Sequence, residues 1–184
     1  MLTTCTRSPY TRETYRYTPL LALLLMPNEA IHRNFGKLLF SLCDIGIGLL
    51  LHRILQLSPS QWKGRRLASD HATWWIAGLW LLNPMSANIS TRGSAESALG
   101  LQVMAILLLV IQQRLDFAAV LLGVAVHFKI YPFIYGASIL AFIGKDVSAT
   151  GRGHTERLLT RERVRFTLLS LASFGVLNLT MYGL

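Results

Sequence analysis

Hydrophobic runs separated by short polar stretches fill most of the chain, and this pattern predicts a bundle of helices. Residues 35–57 form the clearest run, because Asp44 is the one charged residue between positions 38 and 51, where two glycines also lie. The run exceeds the about 20 helical residues that are needed to cross a bilayer core. Further hydrophobic runs occupy residues 72–82, 98–111, 117–143 and 166–184. We therefore predict an all-α fold, a polytopic integral membrane helical bundle that forms a single domain over residues 1–184.

The run at residues 117–143 is apolar at both ends and is interrupted in the middle by His-Phe-Lys-Ile-Tyr-Pro. Pro132 breaks a helix, because proline lacks a backbone donor and clashes with the preceding turn. Connections rich in Lys and Arg lie on the cytosolic side of membrane proteins. Residues 58–70 and 144–165 are such connections, and the turn at residues 112–116 carries Arg114. All three share one side only if the run turns back at its break. The sequence thus predicts a broken hairpin at residues 117–143, followed by a basic cytosolic loop over residues 144–165.

The first part of the chain, residues 1–34, contains one short apolar run at residues 20–26, which cannot cross a bilayer. We expect a lumenal or interfacial segment here. Arg16 lies between Tyr15 and Tyr17, and a cation beside aromatic rings can bind a phosphate or stack on a sugar. The same residues are equally typical of an anchor at the membrane interface.

Composition supports a lipid environment. Hydrophobic residues make up 52% of the chain and charged residues only 15%, whereas a soluble domain carries roughly 25% charged residues. The net charge of +9 could indicate a nucleic acid partner. We expect no nucleic acid partner, because the cations lie between hydrophobic runs, as they do in loops that flank membrane spans.

His127 and Lys129 are the strongest candidates for chemistry. Ionisable side chains inside a hydrophobic run cost several kcal/mol unless they are paired or face water, so they indicate a functional site. Pro132 marks the same place as a break in the helix, which favours a cavity there. The alternative is a lysine that extends to the membrane interface beside a packed histidine.

A second candidate is the polar connection at residues 83–97, which carries hydroxyl groups, amides, Arg92 and Glu96 between two hydrophobic runs. One interpretation is a loop followed by a helix cap. The other is the rim of a pocket, where Arg92 and the amides at a helix start would hold a phosphate. Neither Cys5 nor Cys43 belongs to a C-x-x-C pair, so no metal ligands are predicted.

Three groups of residues resemble motifs of the PIG-M mannosyltransferase family, in the same order along the chain. The first group combines Arg-Ser-Pro-Tyr at residues 7–10 with Thr-Tyr-Arg-Tyr-Thr-Pro-Leu-Leu at residues 14–21. The second is Ile-Ser-Thr-Arg-Gly-Ser-Ala-Glu-Ser at residues 89–97, and the third is Val-His-Phe-Lys-Ile-Tyr-Pro at residues 126–132. The resemblance covers about residues 7–143.

The resemblance implies a multi-pass enzyme of the endoplasmic reticulum membrane with part of the GT-C glycosyltransferase architecture. Such an enzyme transfers mannose from dolichol-phosphate-mannose to the glucosamine of a GPI precursor lipid on the lumenal side. It also implies a small accessory membrane subunit as a partner. No cofactor is certain, although a divalent cation would be compatible with the full-length enzyme. The candidate substrate-binding residues are Arg16, Arg92, His127, Lys129 and Tyr131.

The chain departs from the family at its start. Members carry an Asp-x-Asp motif just upstream of Arg-Ser-Pro-Tyr, where this sequence has Met-Leu-Thr-Thr-Cys-Thr. We therefore expect a truncated form of the family's chain. Its catalytic residue is unassigned, and Glu96 is a weak candidate for the base. Two alternatives stay open: a non-catalytic membrane subunit or pseudo-enzyme, and a transporter that uses His127 and Lys129 for protons or small solutes.

Overall fold

The regular structure is helical throughout the part of the chain that the computed structural model describes, which comprises residues 18–30, 32–57, 69–143 and 160–182. The prediction of an all-α fold is confirmed for these residues. In chain order, the helices are α1 (Pro19–Leu25), α2 (Pro27–Ala30), α3 (Phe35–Leu57), α4 (Ser69–Ile76), α5 (Pro84–Thr91), α6 (Glu96–Ile111), α7 (Leu115–Phe128), α8 (Phe133–Ile143) and α9 (Arg161–Tyr182). A π-helical turn at Ala77–Leu81 continues α4.

The polar connection between α4 and α6 contains a helix, α5, where the hydrophobic pattern gives only a loop. Proline is favoured at the first position of a helix, and Pro84 occupies that position. The side chain of Asn83 accepts a hydrogen bond from the Met85 amide over 2.9 Å, which is the action of an N-cap. At the other end, the Ser94 amide donates to the Ile89 carbonyl, and Gly93 adopts a φ of 81°. Local cap signals therefore produce this helix without an apolar stripe.

The break in the fourth hydrophobic run separates α7 from α8, and α8 folds back along α7. A Cβ atom on Gly136 would lie 3.3 Å from Leu122 Cδ2. In a straight helix those two positions would be about 21 Å apart, at 1.5 Å per residue. Pro132 sits in the break and is fully buried. The proline thus ends one helix and packs into the bundle.

Helices α3 and α6 run in the same direction, and so do α7 and α9. Gly46 meets Leu101, while Gly93, just before α6, lies beside Lys37 at the start of α3. Near the start of α7, Asp116 accepts a hydrogen bond from Arg165 of α9 over 2.7 Å. One end of the bundle therefore gathers the starts of α3 and α6 with the α7–α8 break. We call this the mouth end, and we call the end with the α6–α7 turn the far end.

Helix α9 begins at Arg161, before the predicted start of the last hydrophobic run at residue 166. Its first turns are charged and therefore resemble a loop in a hydrophobicity profile. Arg165 forms an ion pair with Asp116 of α7, and Phe166 is buried in the core. Both contacts stabilise the helical conformation of this first part of α9. Tertiary contacts thus extend the helix beyond its apolar part.

Two helices are long and apolar enough to cross a bilayer by length and composition, α3 and α9. The large side chains of α3 form an exposed stripe at helical spacing, including Leu38 (62% exposed) and Leu42 (63%). An apolar face of this size is unfavourable in water and suits a lipid or protein environment. Helices α6, α7 and α8 are apolar but shorter, and α6 and α7 supply most of the buried core.

Candidate functional site

A cluster of Glu96, Lys129 and Tyr131 lies at the mouth end. Glu96 opens α6, whereas Lys129 and Tyr131 belong to the break between α7 and α8. The Lys129 ammonium forms a salt bridge with Glu96 Oε1, and the Tyr131 hydroxyl donates to Glu96 Oε2 over 3.0 Å. The structure therefore brings together residues from two separate polar stretches of the sequence, and it engages both oxygens of the carboxylate.

The electrostatics of this cluster follow from these contacts. The hydrogen bond from Lys129 lowers the pKa of Glu96, and the bond from Tyr131 acts in the same direction. Partial burial, together with the Glu96 carboxylate, raises the pKa of Tyr131 to about 12. At neutral pH the cluster is thus a carboxylate held by an ammonium and a phenol, which makes Glu96 a poor proton acceptor.

His127 lies on α7, two residues before Lys129, and packs against α9. The side chain is buried and contacts the ring of Phe174 on α9, with 6.4 Å between the ring centroids and 66° between the ring planes. Its Nε2 atom makes no hydrogen bond of normal geometry among the described residues, although the Asn178 side chain lies close enough to interact with the imidazole. A buried polar nitrogen without a partner is costly and is therefore a candidate for contact with a ligand.

His127 and Lys129 line a groove of about 870 Å³ between α7, α8 and α9. Most of its other lining residues are apolar, and they include Val126, Phe133 and Leu171. Asn178 of α9 adds an amide next to His127. The groove thus combines an apolar wall with two ionisable groups, His127 and Lys129, near the mouth end. An elongated hydrocarbon with a charged head would match this distribution.

A close helix crossing forms the floor of the groove. A Cβ atom on Gly123 would lie 2.5 Å from the Ser170 backbone oxygen, closer than real side chains approach. The absent side chain lets α9 pack directly on α7, and the Ser173 hydroxyl donates to the Val120 carbonyl across the same interface over 3.0 Å. Glycine at residue 123 therefore decides the distance between two walls of the groove.

Arg92 lies at the mouth end but outside the cluster. It is exposed in the turn between α5 and α6, next to Gly93, on the side where Lys37 of α3 approaches. The other predicted binding residue, Arg16, lies outside the described residues. The described candidates thus occupy three places: His127 and Lys129 line the groove, Tyr131 contacts Glu96 in the cluster, and Arg92 lies in the α5–α6 turn.

The residues that α9 contributes to the groove escape prediction from sequence. Thr167, Ser170 and Asn178 are spread along a mainly apolar helix and belong to no recognisable motif. Helix spacing alone cannot indicate which of them face α7. Among the described residues, no three His, Cys, Asp or Glu side chains lie together as metal ligands would.

Comparisons with known proteins give one consistent result. Residues 89–184 match the model of the mannosyltransferase (PIG-M) family. The chain is 43% identical to GPI mannosyltransferase 1 of Emericella nidulans, over 95% of this chain and 43% of the relative. It is 45% identical to the catalytic subunit of GPI alpha-1,4-mannosyltransferase I from Danio rerio, over 95% of this chain and 42% of the relative. The chain spans less than half the length of these curated relatives. No solved structure matches it.

Proposed function

Since the chain belongs to the PIG-M mannosyltransferase family, we propose that it acts in GPI-anchor biosynthesis as a membrane glycosyltransferase. The reaction transfers mannose from dolichol-phosphate-mannose to the glucosamine of a GPI precursor lipid. The observation that carries the proposal is the groove between α7, α8 and α9, with Lys129 and the buried His127 near one end of an apolar wall. A polyprenyl chain fits the apolar wall, and its phosphate fits beside the two polar side chains.

The chemistry explains why a cation is needed there. The acceptor hydroxyl attacks the anomeric carbon of mannose and loses its proton, while the bond from that carbon to the phosphate oxygen breaks. Dolichyl phosphate departs with the bonding electrons and gains negative charge. A positive group fixed in advance beside that oxygen stabilises the transition state more than the ground state. Lys129 supplies this charge, and His127 Nε2 supplies a further polar contact.

Glu96 takes a positioning role in this scheme. A general base must accept the hydroxyl proton, and it works best when its pKa lies near the operating pH. The contacts with Lys129 and Tyr131 lower the pKa of Glu96 instead. Glu96 thus fixes the Lys129 ammonium over the groove, and the base is supplied by another residue of the enzyme.

The placement in the membrane follows the same proposal. Helices α3 and α9 cross the bilayer, α6 and α7 pack between them, and α8 lies against α7 and α9. The far end, where α3 and α6 finish and α9 starts, faces the cytosol, because the predicted basic connections adjoin that end. The mouth end then opens to the lumen of the endoplasmic reticulum. A small accessory subunit and the remaining parts of the GT-C architecture complete the enzyme.

A chimera tests the proposed function. This chain replaces the matching segment of the Emericella nidulans relative in cells that lack their own enzyme. Microsomes then receive dolichol-phosphate-mannose with a radioactive sugar and glucosaminyl-phosphatidylinositol. We expect a labelled mannosyl lipid in an amount similar to that from the intact relative. A chimera that inserts at normal levels and yields no labelled product would overturn the proposal.

A further inference from the structure

We propose that Asn178 of α9 is a positioning residue for His127, which holds the imidazole with one ring nitrogen toward the amide and the other toward the groove. This rests on the proposed function, because the nitrogen that faces the groove is the one that would contact the donor phosphate. Asn178 lies far from His127 in the sequence and belongs to none of the motifs that carry the family resemblance.

The crossing of α7 and α9 brings the amide to the imidazole. The two helices approach closely where Gly123 meets Ser170. Phe174 and Asn178 follow Ser170 at intervals of four residues, so they lie on the same face of α9. The Phe174 ring packs against His127, and the Asn178 side chain lies close enough to interact with the imidazole. Both His127 and Asn178 line the groove.

The contact with Phe174 restrains the plane of the imidazole but does not select its direction. A half-turn of the ring about its bond to Cβ exchanges ring nitrogens with ring carbons and keeps nearly the same shape. Torsions of this kind are broad and roughly two-fold, and an aromatic neighbour distinguishes poorly between the two orientations. A hydrogen-bonding group selects one of them, and it also selects the nitrogen that carries the proton.

The Asn178 amide is itself held in place. Its Nδ2 atom donates to the Phe174 carbonyl over 2.7 Å, which leaves Oδ1 as the acceptor that the amide offers to the imidazole. An amide oxygen only accepts hydrogen bonds, so it favours a proton on the ring nitrogen beside it. The same turn of α9 therefore supplies both the ring that restrains His127 and the acceptor that orients it.

This arrangement suits an anionic ligand in the groove. A buried imidazolium is costly without a negative partner, and a bound phosphate supplies one. The ring then donates one N–H to Asn178 Oδ1 and the other to a phosphate oxygen, and such charge-assisted bonds are stronger than neutral ones. Among the described residues that line the groove, His127 and Lys129 are the ionisable ones. Lys129 is engaged with Glu96, so the neutral amide is the group that orients the imidazole.

NMR of the whole 184-residue chain in phosphatidylcholine nanodiscs, with isotope-labelled histidine, tests the positioning role. The shifts of the ring nitrogens report which of them carries a proton, and His127→Gln identifies the signals. At neutral pH we expect one tautomer of His127 in the ligand-free wild type, and protons on both nitrogens at saturation with dolichyl phosphate. Asn178 is exposed, so Asn178→Ala should keep the fold. This variant should show a mixture of tautomers without ligand and a neutral ring with ligand.

Thr180→Val is the matched control on the same helix. The Thr180 hydroxyl donates to the Val176 carbonyl over 3.0 Å, the same kind of bond that Asn178 makes, but Thr180 is not among the described residues that line the groove. Its spectra should match those of the wild type. A wild-type tautomer pattern in Asn178→Ala, or a ring that stays neutral when the wild type binds dolichyl phosphate, would overturn the positioning role.

Affinities for dolichyl phosphate complete the test. We expect Asn178→Ala to weaken binding about tenfold, the effect of one charge-assisted contact. In a His127→Gln background the same change should weaken binding no further, because the amide acts through the imidazole. Additive losses would show that Asn178 acts independently of His127 and would overturn the inference. The tautomer of the ligand-free chain involves no lipid, so it can contradict the positioning role while the chimera still transfers mannose. A wild type that binds no dolichyl phosphate would count against the proposed function, and the ligand-free tautomer would still decide the role of Asn178.

Discussion

Two ion pairs join helices at opposite ends of the bundle, and they differ in their surroundings. Arg165–Asp116 at the far end ties α9 to the start of α7, with side chains that are 63% and 49% exposed. Lys129–Glu96 at the mouth end ties the α7–α8 break to α6, with side chains that are 23% and 45% exposed. In the mouth pair, Glu96 also accepts a hydrogen bond from Tyr131, and Lys129 lines the groove. An ion pair of the same type thus joins two helices at the surface in one place and forms part of the proposed binding site in the other.

The largest effect should come from breaking the two pairs in turn. In the chimeric enzyme we expect Lys129→Ala to lower kcat/KM for mannose transfer by about 100-fold or more, because the departing phosphate loses its fixed positive charge. Arg165→Ala should leave kcat/KM within about twofold, since an exposed pair contributes about 1 kcal/mol or less and lies far from the groove. Microsomal transfer assays, normalised to the amount of inserted protein, measure both. Equal losses in the two variants would remove the distinction between the pairs.

The next effect concerns the crossing of α7 and α9, which separates two walls of the groove and which the Arg165–Asp116 pair also spans. Gly123→Ala would place a methyl group 2.5 Å from the Ser170 backbone oxygen and force the helices apart. We expect a loss of about 1 to 3 kcal/mol in stability, as for other overpacked positions, together with weaker dolichyl phosphate binding.

Gly175→Ala is the matched control for this crossing. The position has open space around its would-be Cβ and lies on α9. Alanine favours a helix over glycine by up to about 1 kcal/mol, so Gly175→Ala should preserve or raise the melting temperature in detergent. A lower melting temperature for Gly175→Ala than for Gly123→Ala would show that the close crossing is not what fixes the groove.

A smaller effect is expected in the pH dependence of the stability that the Lys129–Glu96 pair contributes. The folded-state pKa of Glu96 is lowered, so the stabilisation from its charge is present above the unfolded pKa of about 4.3 and disappears as the pH falls through the folded value. The melting temperature of the wild type should exceed that of Glu96→Gln by a constant margin above about pH 5. That margin should shrink below about pH 4. A margin that grows with acidity would contradict the assignment of Glu96 as the ionised partner of Lys129.

The smallest expected effect is the change in each ion pair's contribution to stability when the salt concentration is raised. Exposed charges are screened within about 10 Å at 0.1 M ionic strength, and less exposed pairs are screened less. The stability difference between the wild type and Arg165→Ala should therefore fade between low and high salt, while the difference for Lys129→Ala should persist. Thermal unfolding at two salt concentrations measures both differences, and equal fading would show that the pairs are equally exposed in solution.

The sequence by itself determined the helical class, the range of α3, the place of the break at Pro132 and the family. These features depend on local patterns, namely the length of an apolar run, a proline in the middle of such a run, and strings of residues in a fixed order. His127 and Lys129 could also be identified as candidates from the sequence. An ionisable side chain in an apolar stretch carries a free-energy cost whichever residues surround it.

Only the tertiary structure decided which residues meet. Glu96 and Tyr131 lie 35 positions apart in sequence, and their contact depends on α8 folding back at the break and on α6 lying beside it. The same packing decided that α9 begins at Arg161, that Asn178 reaches the groove, and that Lys37 lies beside Gly93. Hydrophobic periodicity fixes the apolar character of each helix, but the rotation and neighbours of that helix follow from side-chain packing over the whole bundle.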